Sequence, residues 1–243
     1  MNIETYYIRL FILYAKIVTA TMLIPIVVAL MNFRKLNRPL KLFLLYLGVD
    51  FLIALFMQTF IWATGTYKDY FKPLLDKWGI HDTNFISIIN FLTTFILLGW
   101  YFSSVFKSIR IQKTIKIISA LLFTIAIIEN FFGHDFRNYD SFNATTYAIF
   151  CMALPLFHLW FVYNTMTEVT IRKNPYFWID IGLLIPNMMG LFLHLAGNKL
   201  YETDMILYFK LSIAKYYFVM LSQILLAISF YYARYTKYLP EKW

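Results

Sequence analysis

Seven stretches of the chain are apolar on every side rather than along one face: residues 8–30, 42–62, 85–106, 115–132, 144–164, 177–195 and 206–232. A bilayer core needs roughly 20 mostly apolar residues per crossing helix. A helix that is hydrophobic all round is surrounded by lipid or protein, not by water. The pattern therefore predicts an all-α polytopic membrane protein, a seven-transmembrane-helix bundle forming a single domain over residues 1–243. No internal repeat is present, and Pro25, Pro155 and Pro186 do not pair as broken helices of two inverted halves would. The first apolar run is too long for a signal-peptide core and reads as a retained helix.

The longest connection, residues 63–84, has its own pattern. Tyr67, Tyr70, Phe71, Leu74, Leu75 and Trp78 recur at helical spacing, with Lys68, Asp69, Lys72, Asp76 and Lys77 on the other face. Pro73 limits this helix and Gly79 ends it. Its amphipathic face fits the membrane interface, and the same helix could act as a lid over an outward-facing cavity.

Composition agrees with the pattern. Hydrophobic residues make up 60% and charged residues 14%, against about 25% charged in a soluble domain. The net charge of +9 does not imply nucleic acid, because the basic residues gather at helix ends rather than on a basic face. Thirteen Lys and Arg flank one side, including Arg34, Lys35, Lys107, Arg110, Arg172 and Arg234, against six on the other. The positive-inside rule then places the N-terminus outside and the C-terminus in the cytoplasm. A bacterial inner membrane is the expected location. Cys151 is the only cysteine, so no intrachain disulfide forms.

The informative residues are the polar ones inside the apolar runs. A charge near the bilayer centre costs about 2.5–3.5 kcal/mol on insertion scales, so it usually faces the bundle interior and finds a partner. Lys16, Asp50 and Lys215 lie at matching depths in the first, second and seventh segments. Asp50 is expected to pair with either lysine or to bridge both. Glu129 in the fourth segment, at similar depth, could balance the remaining positive charge across a cavity. An anionic ligand could do so instead. With Asn90 and Asn187, these residues define a candidate outer-half ligand cavity: Lys16, Asp50, Asn90, Glu129, Asn187 and Lys215. Asp180 is expected near the cytoplasmic end, within reach of water or headgroups. His158 reads as a hydrogen-bonded packing residue, and the histidines show no metal-ligand spacing. Gly182, Pro186 and Gly190 in the sixth segment and Pro155 in the fifth form a candidate hinge, since proline frees a carbonyl and glycine admits close backbone approach.

Catalytic motifs are missing: no HExxH, GxSxG, Walker loop or dinucleotide-binding glycines occur. No catalytic residue and no metal site is assigned. A lysine in the last of seven spans invites comparison with microbial rhodopsins. However, Asn90-Phe91-Leu92-Thr93-Thr94 lacks their counterion pattern, so neither retinal on Lys215 nor any other cofactor is expected.

The stretch Asn174-Pro175-Tyr176-Phe177-Trp178-Ile179-Asp180-Ile181-Gly182-Leu183-Leu184-Ile185, with Asn187 and the last apolar run, resembles a group of small bacterial seven-helix membrane proteins. Members of that group are often encoded beside sensor histidine kinases. The resemblance implies an accessory sensory or signalling protein, whose partners would be the lipid bilayer and a sensor histidine kinase or other membrane signalling protein. The leading expectation is a receptor for a small or lipid-like ligand. A small-solute transporter or channel, an intramembrane lipid-processing enzyme and an assembly subunit of a membrane complex are the alternatives.

Overall fold

A computed structural model of the chain describes residues 3–78, 80, 83–130, 141–165 and 171–238, and all regular structure among them is helical. The nine α-helices among these residues are α1 (Ile3–Thr21), α2 (Leu23–Met31), α3 (Arg38–Thr66), α4 (Lys68–Trp78), α5 (Asn84–Val105), α6 (Ile109–Ile128), α7 (Ser141–Thr165), α8 (Pro175–Thr203) and α9 (Met205–Tyr231). Seven spans are long and apolar enough to cross a membrane: Thr5–Met31, Arg38–Thr66, Phe85–Val105, Ile109–Ile128, Phe142–Asn164, Pro175–Gly197 and Met205–Thr236. Span four starts earlier than its pattern predicts, and residues 131–132, expected at its end, lie outside the described residues.

Local chemistry sets where the helices begin and break. Asn37 accepts the Leu40 amide at 3.2 Å ahead of Pro39. Asn174 accepts the Tyr176 amide at 3.0 Å ahead of Pro175. Asp204 accepts the Leu207 amide at 2.9 Å. Each side-chain oxygen satisfies one of the helix's unpaired first-turn donors, and proline is pre-set for the first turn. Within span one, Pro25 has no N–H for the Thr21 carbonyl, and regular helix is interrupted at Met22. Helix α4 runs 11 residues straight through Pro73, further than the sequence pattern implies. Gly79, its expected terminator, lies outside the described residues.

Spans one, two, three, five, six and seven close a ring in that order, with seven against one, while span four lies outside against span three. The contact between three and four is close: a Cβ added to Gly99 would lie 2.0 Å from the Ser119 Oγ. The two halves of the ring differ. At the end bearing Arg34, Lys107 and Arg172, fully buried side chains fill it, among them Phe43, Leu98, Tyr101, Phe102, Ile179 and Phe230. Phe43 sits 4.9 Å from Tyr101 and 6.1 Å from Phe230, centroid to centroid, in the offset and tilted arrangements aromatic pairs prefer. Toward the other end, polar side chains surround a cavity.

Candidate functional site

That cavity has a volume of about 270 Å³ and takes residues from all six helices of the ring. Span one contributes Ala15, Val18, Thr19 and Met22, which follow helical spacing along one face. Span two adds Asp50 and Gln58, span three Asn90 and span five Tyr147. Asn187 and His194 come from span six, and Lys215, Ser222 and Gln223 from span seven.

Four of the six expected ligand-site residues, Asp50, Asn90, Asn187 and Lys215, meet here. Lys16 does not. It is exposed on the bundle's outer surface and lines a separate groove with Leu23, Leu55 and Trp62. One residue of an α-helix turns the side chain by about 100°, so Ala15 faces inward while Lys16 faces lipid. The expected Lys16–Asp50 ion pair is therefore absent. Glu129 also does not line the cavity, because span four sits outside the ring.

The expected Asp50–Lys215 pair is not formed either. Asp50 and Lys215 face one cavity, yet neither has an ion-pair or hydrogen-bond partner among the described residues. The Lys215 amine lies beside Gly190 and His194: a Cβ at Gly190 would sit in ordinary contact, 3.6 Å from Nζ and 3.7 Å from the His194 Nε2. The amide oxygens of Asn90 and Gln223 are also buried with no partner among the described residues. Buried polar groups are normally hydrogen-bonded. A carboxylate and two amide oxygens that accept, and an amine that donates, can together hold a polar or charged guest in the space they share.

Pro186 deprives the Gly182 carbonyl of its usual helical donor. The Ser222 Oγ donates to that carbonyl at 2.5 Å, while the Asn187 side-chain amide donates to the Leu183 carbonyl at 2.7 Å. Gly182 permits this approach, since a Cβ there would meet Leu226 at 2.8 Å. The freed carbonyl at the candidate hinge is thus held by span seven, beside the cavity. Gly190 and Pro186 contact the cavity side, whereas Pro155 lies on span five. Ser222→Ala is expected to lower stability by about 1 kcal/mol, measured as unfolding of the detergent-solubilised protein.

A second polar group was legible only in part. His158 Nδ1 and Asp180 Oδ2 lie 2.5 Å apart, both with 0% exposure. Asp180 therefore does not reach water or headgroups as expected. Span six carries it inward against His158 of span five, and Phe102, Phe106 and Tyr176 surround the imidazole. The matching signal was depth: both residues lie near the basic-loop ends of adjacent spans. The pair is sealed in the core rather than open to a lipid-facing cleft, so it has no access for a substrate.

Helix α4 contributes nothing to the central cavity. With the end of span two it frames its own groove of about 320 Å³ through Lys68, Lys72, Leu75 and Asp76, and Tyr70 and Leu74 are exposed. The helix therefore covers that groove rather than the central cavity, and its exposed apolar face fits the interface reading.

The chain matches no protein-family model, no curated protein and no solved structure.

Proposed function

We propose that the protein is a membrane signal receptor or accessory sensory protein, N-terminus outside, in a bacterial inner membrane. A small or lipid-like ligand would occupy the cavity around Asp50 and Lys215. One observation carries this reading: a polar cavity shared by six spans stops at a tightly packed aromatic core on the basic-loop side. A transporter or channel needs a route to both faces. A receptor needs a site whose occupancy moves helices. Spans six and seven share the cavity and the Ser222–Gly182 hydrogen bond, so occupancy would shift them together and alter the basic loops that face a partner. A sensor histidine kinase remains the partner class that the sequence resemblance favours.

The test has two readouts on one preparation. Protein extracted with native lipid in nanodiscs is expected to retain a bound small molecule by native mass spectrometry. Lys215→Met should reduce retention by about tenfold or more, the factor one hydrogen bond to a charged group supplies, and Asp50→Asn, which removes a charge facing the same space, should change it as well. Equal retention in all three proteins, or ligand-independent solute flux in liposomes, would overturn the reading. A C-terminal green fluorescent protein fusion should fluoresce, as cytoplasmic fusions do, and a C-terminal alkaline phosphatase fusion should be inactive. The reverse pattern would overturn the orientation.

A further inference from the structure

The outer groove that holds Lys16 adjoins the central cavity. Its volume is about 470 Å³, and it is lined by Lys16, Thr19 and Leu23 of span one and by Leu55, Gln58 and Trp62 of span two. Thr19 and Gln58 line the central cavity as well. Two side chains therefore stand between a lipid-facing groove and a polar interior.

The surrounding packing leaves this seam lightly joined. Span one is fastened to span seven: the Tyr14 and Tyr217 hydroxyls share a hydrogen bond, and Phe11 packs 5.3 Å from Tyr216 and 5.5 Å from Phe209. Among the described residues, no hydrogen bond or ring pair joins span one to span two, and their contact is sparse beside that of spans six and seven. Outside this seam, Lys16 is an ammonium on an apolar surface that includes Leu13 and Ile17, with no ion-pair partner among the described residues. A cation at that depth is costly unless something neutralises it.

Resting on the receptor reading above, we infer that the ligand is a long-chain fatty acid that enters sideways from the bilayer between spans one and two. Its carboxylate would pass Lys16 at the mouth and settle near Lys215, and its chain would lie in the groove against Leu23, Leu55 and Trp62. Charge selects the head group. Lys16 and Lys215 together carry two positive charges against one negative charge on Asp50, so a monoanion balances the path. A phosphate monoester, at about −1.5 to −2, overshoots. The apolar lining of the groove selects the tail, since Leu23, Leu55 and Trp62 offer an acyl chain a surface in place of bulk lipid. The smaller inner cavity suits a head group and its waters.

The experiment uses the full chain in nanodiscs and a diazirine-bearing analogue of palmitic acid. Photolabelling is expected on groove residues of spans one and two. Palmitate should compete at least about tenfold better than hexadecanol, which has the same chain without the carboxylate, since a charge-assisted hydrogen bond supplies that factor. This comparison needs no variant. Lys16→Met should weaken competition by palmitate and leave hexadecanol unchanged. Gln58→Trp, which fills the doorway, should abolish the preference for palmitate while the groove still labels. Equal competition by palmitate and hexadecanol, or labelling spread evenly around the bundle, would mean a general lipid annulus and overturn the inference. In that event, Lys215-dependent retention of a water-soluble molecule would leave the receptor reading standing. Loss of both would remove the two together.

Discussion

His158→Leu should be among the most damaging single substitutions in the protein, destabilising it by about 3–5 kcal/mol. The imidazole Nδ1 lies 2.5 Å from the Asp180 carboxylate, and neither side chain has any exposure. The other carboxylate oxygen has no hydrogen-bond partner among the described residues. Removing the imidazole would leave the buried Asp180 carboxyl group with nothing to bond among the described residues. Asp180→Leu should cost less, about 1–3 kcal/mol, because it removes a hydrogen bond without leaving a lone carboxyl group in the core. The double variant His158→Leu with Asp180→Leu should recover most of the loss, since a buried pair replaced by apolar groups is often neutral. Unfolding in mixed detergent micelles measures all three. A double variant whose loss equals the sum of the single losses would show that the two groups are not coupled.

The hydropathy pattern alone located all seven spans, because the requirement to cross hydrocarbon is written into every residue of each run. It could not report which way each side chain faces. In a soluble helix the polar stripe marks the surface. Here lipid and protein interior are equally apolar, so Lys16 on the lipid face and Asp50 on the inner face stand in similar sequence surroundings. Depth was readable and angle was not. Depth matching grouped Asp50, Asn90, Asn187 and Lys215, and the ring geometry placed these four around one space. It also grouped Lys16 and Glu129 with them, and those two were misassigned by rotation and by helix order respectively. Span four follows span three in sequence yet stands outside the ring. The only sequence trace of that is local: Gly99 supplies the bare backbone on which Ser119 rests. For His158 and Asp180, the common depth on adjacent spans is what brings the two together, and the apolar surroundings of each say nothing of the other.

The attachment of span four provides the other large effect. Gly99→Ala should destabilise the protein by about 1–3 kcal/mol, as overpacking does in a filled interior. The added Cβ would lie 2.0 Å from the Ser119 Oγ and 2.7 Å from its Cβ, with Phe150 3.6 Å away on a further span. Ser119 has little freedom to retreat. It is buried, and its hydroxyl donates to the Ile115 carbonyl at 2.8 Å. Spans three and four must therefore separate, and with them the small-residue contact that lets membrane helices approach. Ser119→Gly in the same chain should restore most of the stability, short of the roughly 1 kcal/mol that a helical glycine costs. Gly48→Ala is the matched control, since no heavy atom lies within 4 Å of its Cβ position. It should be neutral or stabilising by up to about 1 kcal/mol. Because span four contributes nothing to the central cavity, Gly99→Ala should loosen the bundle's flank while Lys215-dependent ligand retention persists. Thermal midpoints that fall equally for Gly48→Ala and Gly99→Ala would refute the close contact. Ligand loss in Gly99→Ala protein that is still folded would show that span four supports the site through span three.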